Sequence, residues 1–150
     1  MRSTLTVGFL SCAVALATLA VAAEPSAVWP SKDIQWKDSG AVKGAKIAVL
    51  WGDPAKGAYG ALKKVPAGTE FGLHIHTNDQ RVVQVSGTIL LQEEGKPEKA
   101  LDAGSYMFMP GGVKHTAKCT AAADCVYFEE QPGAADLKMV EGVKKEPAAK

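Results

Sequence analysis

The chain carries three histidines in all: His74, His76 and His115. Imidazole is a ready ligand for divalent transition metals. His74 and His76 stand at i and i+2. On an extended strand that spacing puts both side chains on one face, whereas on a helix they would diverge. The pair therefore predicts a metal site only if the segment is a strand. Gln80 follows four residues after His76 and offers a carbonyl oxygen. Four N or O donors brought together from three strands would make a half-open metal site, with positions left for water or substrate. Tyr59, Gln84, Tyr106 and Phe108 lie on or beside expected strands and are candidate pocket-lining residues. Cys119 and Cys125 are separated by Thr-Ala-Ala-Ala-Asp. In an oxidising compartment they are disulfide candidates, with a pair of free thiols as the alternative. Two cysteines are too few for a Cys-only zinc site.

The elements that must position these residues are short and punctuated by Gly and Pro. Apolar or alternating runs predict strands over residues 46–51, 59–65, 71–76, 81–85, 88–92 and 106–109. Residues 113–119 and 125–130 read as a hairpin. Gly52-Asp53-Pro54, Pro66-Ala67-Gly68, Ser86-Gly87 and Pro110-Gly111-Gly112 carry turn chemistry between them. Residues 93–99 read as a charged loop. No long amphipathic helix and no internal repeat is evident. Eight or so short strands predict an all-β sandwich, jelly roll or small barrel. The expected organisation is an N-terminal arm over 24–45, with an edge strand near 34–36. A β-barrel over 46–131 and a tail over 132–150 follow.

The first residues belong to a different category. Arg2 is the only charge before Glu24, and residues 5–21 are apolar or small. The run ends in Val21-Ala22-Ala23, so residues 1–23 read as a secretory signal peptide cleaved after Ala23. An uncleaved anchor, or a lipid on Cys12, are the alternatives. The reading implies an exported protein, periplasmic or secreted, with no stable membrane insertion after cleavage. Lys plus Arg number 17 against 16 Asp plus Glu. A nearly neutral chain has no basic field to hold nucleic acid.

Two spacings carry a family resemblance. Gly68, five residues, His74-Ile75-His76, three residues, Gln80, six residues and Gly87 resemble the first motif of the cupin superfamily. Gly104, five residues, Pro110-Gly111-Gly112, two residues and His115 resemble the second. The resemblance implies a double-stranded β-helix, the cupin jelly-roll barrel. It implies one divalent transition metal (Fe, Mn, Zn, Ni or Cu) held by His74, His76 and His115, with Gln80 as fourth ligand. Gln80 stands where the family usually has a glutamate, and Cys119 where it usually has an asparagine. A neutral glutamine would leave the ion its full charge and make it a stronger Lewis acid, held less tightly. Alternatively, Gln80 orients an imidazole instead of touching the ion. Cys119 shares a strand face with His115, so a place near the site competes with the disulfide.

The expected function is a metal-dependent enzyme, dioxygenase-like or a lyase or isomerase, acting on a small oxygen-rich molecule. The alternatives are a non-catalytic module that binds a metabolite or the metal itself, and a metal-free structural cupin. By analogy with small cupins, a homodimer is expected.

Overall fold

Short runs of β-branched, aromatic and aliphatic residues between Gly and Pro turns have one stable outcome, a set of short strands that must close on each other to bury one face each. The computed structural model describes residues 26–40 and 42–140. A single 3-10 turn, Ser31–Asp33, precedes the strands. They are β1 (Lys37–Asp38), β2 (Lys46–Gly52), β3 (Tyr59–Val65), β4 (Glu70–Ile75), β5 (Gln80–Ser86) and β6 (Ile89–Glu93). β7 (Lys99–Leu101), β8 (Tyr106–Met109), β9 (His115–Cys119), β10 (Cys125–Gln131) and β11 (Lys138–Met139) complete the set. All pairings are antiparallel. One sheet runs β1-β2-β3-β10-β5-β8 and the other β11-β4-β9-β6-β7. Residues from both sheets line one central cavity. The fold is the expected all-β jelly-roll barrel.

The corner between β5 and β6 shows how the chain passes from one sheet to the other. Gly87 turns there with φ of 72°, a conformation L side chains rarely adopt. A Cβ at Gly87 would also lie 2.6 Å from the Asp124 carbonyl oxygen. Only glycine lets the β5–β6 corner and the segment before β10 approach this closely.

Several expectations are corrected. Residues 113–119 and 125–130 do not form a hairpin: β9 pairs with β4 and β6, while β10 pairs with β3 and β5. The connection does not fold β10 back onto β9. Instead Thr120 N donates to Thr88 O, and Ala67 N donates to Asp124 Oδ1. Cys119 and Cys125 are nevertheless bridged, with Cα atoms 5.9 Å apart. The disulfide thus ties the two sheets together, packed with Val65 against Phe71, Ile89 and Tyr127. The edge strand of the arm is at Lys37–Asp38 rather than 34–36. Part of the charged loop ends in β7, which completes the edge of its sheet beside β6. The segment after residue 131 is not simply a tail: β11 adds to β4. The signal-peptide region and residues 141–150 lie outside the described residues.

Candidate metal centre

β4 and β9 are neighbours, and their register sets His74 opposite His115. β4 carries an extra residue between Phe71 and His74 relative to β9. Plain alternation would send Phe71 and His74 to opposite faces, but the bulge turns both toward the cavity. His76 follows just beyond the strand. The turn at Pro110-Gly111-Gly112 pins that region: Gly112 N donates to His76 O at 2.8 Å, and Gly111 N to Asp79 Oδ1 at 2.9 Å. A Cβ at Gly111 would lie 2.3 Å from the Thr77 carbonyl oxygen, so this close approach requires glycine.

The three imidazoles form a cluster, with ring centroids 4.2 Å apart for His74–His115, 5.0 Å for His74–His76 and 5.4 Å for His76–His115. One ring nitrogen from each lies within 4.8 Å of the other two. Each Nδ1 faces a backbone carbonyl: Gly72 O at 2.6 Å for His74, Asp136 O for His76 and Val113 O at 3.0 Å for His115. A carbonyl only accepts, so each Nδ1 carries the proton and each Nε2 keeps a lone pair. That is the tautomer a metal-binding histidine takes, with its second nitrogen fixed by a backbone oxygen. Burial drives the His74 imidazole down to about 4, against the opposing hydrogen bond to Gly72. Burial lowers His76 as well. Both rings are therefore neutral at pH 7, the protonation state a ligand needs.

Gln80 opens β5 and lines the same cavity, only 3% exposed. Its Nε2 donates to Glu129 Oε2 at 3.3 Å. Glu129 is the centre of a buried network. Its Oε1 accepts from Lys63 Nζ at 2.6 Å, from Gln131 Nε2 at 3.1 Å and from the Tyr59 hydroxyl. Burial alone would raise the Glu129 carboxyl. The Lys63 charge and the hydrogen bonds from Lys63 and Tyr59 outweigh it and hold the group below the usual carboxylate range. Burial and the Glu129 charge push the Tyr59 hydroxyl the other way, upward, so it stays a donor.

The cavity measures about 900 Å³, large enough for a small metabolite. His74 and His115 line it from one sheet, with His76 just beyond β4, and Gln80, Lys63 and Glu129 line it from the other. Phe71, Val82, Leu91 and Met107 supply apolar wall, and Asp136, Leu137 and Met139 come from the segment after β10. Of the expected pocket residues, Tyr59 is fully buried behind the wall as the donor to Glu129. Gln84 faces inward deeper along β5 and donates to Ser86 O at 2.7 Å, away from the cavity lining. Tyr106 and Phe108 are corrected: they point outward, 61% and 47% exposed. β8 pairs in a register that turns Met107 and Met109 inward instead, and Phe108 lies under the Arg81 guanidinium at 5.2 Å. Cys119 does share the inner face of β9 with His115. Four residue steps along the strand separate them by about 13 Å, so its sulfur serves the bridge and not the site.

Sequence reasoning missed Glu129, Lys63 and Asp136. Glu129 had a legible signal. It sits at an inward period-2 position on β10, between Tyr127 and Gln131, where an ordinary core would hold an apolar residue.

A family model described as a domain of unknown function, DUF4437, matches residues 20–135. The chain belongs to the DUF4437 family. A comparison with curated proteins finds no match. Solved structures similar to this DUF4437 chain include an RmlC-like cupin from Shewanella frigidimarina, at 20% identity and a TM-score of 0.59, covering 75% of this chain and 95% of that one. The polyketide cyclase RemF from Streptomyces resistomycificus is similar at 16% identity and a TM-score of 0.63, covering 82% and 90%. A predicted oxalate decarboxylase from Thermotoga maritima is similar at 23% identity and a TM-score of 0.58, covering 71% and 99%. Likeness at this identity shows the fold alone, and the DUF4437 chain has the cupin fold.

Proposed function

We propose that this protein is an exported, metal-dependent cupin enzyme acting on a small oxygen-rich molecule. His74, His76 and His115 hold one divalent transition metal through Nε2, and the Gln80 carbonyl oxygen is the fourth ligand. One observation carries the reading: all three Nδ1 atoms are committed to backbone carbonyls, which leaves the three Nε2 atoms as the free donors of one cluster. That donor set fits Fe, Mn, Zn, Ni or Cu and suits neither calcium nor magnesium, which prefer oxygen. The disulfide supports export, because such bridges persist in oxidising compartments. Among the described residues no helix is long and apolar enough to cross a membrane.

A bound ion would supply Lewis-acid polarisation of a substrate oxygen or, as iron, activation of dioxygen. The protein's own part is positioning. The backbone carbonyls of Gly72, Val113 and Asp136 lock the imidazole orientations. Phe71, Val82, Leu91 and Met107 keep water from the inner wall. Glu129 is ionised but saturated with donors, which makes it a poor proton acceptor. These residues bind and orient; they do not shuttle protons. Proteins of this fold named for oxalate and polyketide chemistry support a small oxygen-rich substrate.

The test is a substrate screen on protein loaded separately with each metal. Oxygen uptake with diketones, phenols and thiols would be followed for the iron form. Loss of substrate in lyase and isomerase assays would be followed for the others. Turnover in one metal form, absent from His115→Ala, is the expected result. Binding without turnover in every form would replace the enzyme reading with that of a metabolite-binding module.

A further inference from the structure

The buried carboxylate next to the fourth ligand does more than balance the charge of Lys63. Gln80 is a two-ended ligand: its amide presents an oxygen, which binds metals, or an NH2, which does not. Nothing within glutamine itself selects the end. Glu129 does, because an ionised carboxylate accepts hydrogen bonds and cannot donate one. Its Oε2 takes the Gln80 Nε2 at 3.3 Å, while its Oε1 is occupied by Tyr59, Lys63 and Gln131. Gln80 and Glu129 are each 3% exposed, so water offers the amide no competing partner. With the NH2 end held by Glu129, the carbonyl oxygen is the end left for the cavity that the three histidines line.

We propose that Glu129 is a positioning residue that fixes the Gln80 amide with its oxygen toward the metal. This rests on the reading of Gln80 as a ligand. It also assigns the site an unusual charge arrangement: a neutral inner ring of donors, with the negative charge one hydrogen bond further out and neutralised by Lys63.

A swap separates positioning from a merely structural role. Metal dissociation constants would be measured by chelator competition with zinc, beside thermal melts of the metal-free proteins. Glu129→Gln lets residue 129 accept or donate, so the Gln80 amide is free to turn. Zinc binding should weaken about 10- to 100-fold, the usual effect of losing a group that orients a ligand. The double variant Gln80→Glu/Glu129→Gln restores a matched pair, the amide now donating to a carboxylate ligand, and should recover most of that loss. Wild-type affinity in Glu129→Gln, or no recovery in the double variant, would overturn the proposal. Gln80→Ala guards the premise: if it binds zinc as the wild type does, Gln80 is not a ligand and both readings fall. If it weakens binding while Glu129→Gln does not, the positioning role alone falls.

A second measurement needs no change at Glu129. In isotope-labelled wild-type protein, zinc should move the Gln80 side-chain carbonyl resonance while its NH2 protons stay protected from solvent exchange. A shifted carbonyl with freely exchanging NH2 protons would refute the role of Glu129. An unmoved carbonyl would refute the ligand.

Discussion

His115 is the residue on which the two halves of the site depend, since it alone among the three histidines comes from β9. Its Nδ1 is anchored to Val113 O, and its ring packs 4.2 Å from that of His74. His115→Ala should abolish metal binding in a chelator-competition assay yet leave the β-sheet circular dichroism signal intact. A variant that loses the β signal would make this residue part of the core instead. Lys63 is the matching test of the charged network. It is the cation that holds the buried Glu129. Lys63→Met should cost about 3 kcal/mol in urea unfolding, because it leaves a buried charge without its partner. At this scale the histidines were legible, since a fixed frame of Gly and Pro surrounds them. The meeting of Glu129 with Lys63 was not, because it depends on the pairing of β10 with β3, which brings together residues 66 positions apart in the chain.

Among the elements, the inter-sheet bridge and the segment after β10 matter most. Because β9 and β10 sit in different sheets, the Cys119–Cys125 bridge fastens one sheet to the other. The loop it closes is short, with a sequence separation of 6. Loop-closure entropy for such a span predicts that Cys119→Ser/Cys125→Ser loses about 2 kcal/mol, read from denaturant midpoints. The segment after Gln131 acts as a strap across the site. Asn78 Nδ2 donates to Ala134 O at 2.9 Å, and Asp136 Oδ1 accepts from Thr77 N at 2.8 Å. The Asp136 carbonyl then fixes His76. Truncation after Gln131 should weaken the metal on the order of 10-fold while the barrel still folds; unchanged affinity would show that His76 needs no such support. The strand positions were readable from residue types, since 59–65 and 106–109 match β3 and β8. The partners and facing were not. A strand's neighbours are chosen by long-range pairing, and one bulge reverses which side chains point inward. Tyr106 and Phe108 were misplaced because the β5–β8 register, with no bulge in it, decides which face of β8 is inward, and a hairpin was expected where the chain crosses between sheets.

At the scale of the molecule, burial in the barrel holds His74 and His76 neutral, and this gives metal-free protein a pH dependence. Burial keeps His74 near 4 in the folded state, while an unfolded histidine titrates near 6.5. Between those values the unfolded chain binds the additional proton, so stability falls as pH drops through that window. Melts of chelator-treated protein should therefore have a lower midpoint at about pH 5 than at about pH 7. The measurement that bears most directly on the central claim is metal content. Protein produced from the full sequence, beside His74→Ala/His76→Ala prepared in the same way, would be analysed for its elements. Near one equivalent of iron, manganese, zinc, nickel or copper in the wild type, lost in the double variant, is the result the site predicts. No metal in the wild type, even after reconstitution with each ion, would contradict it and leave a metal-free cupin.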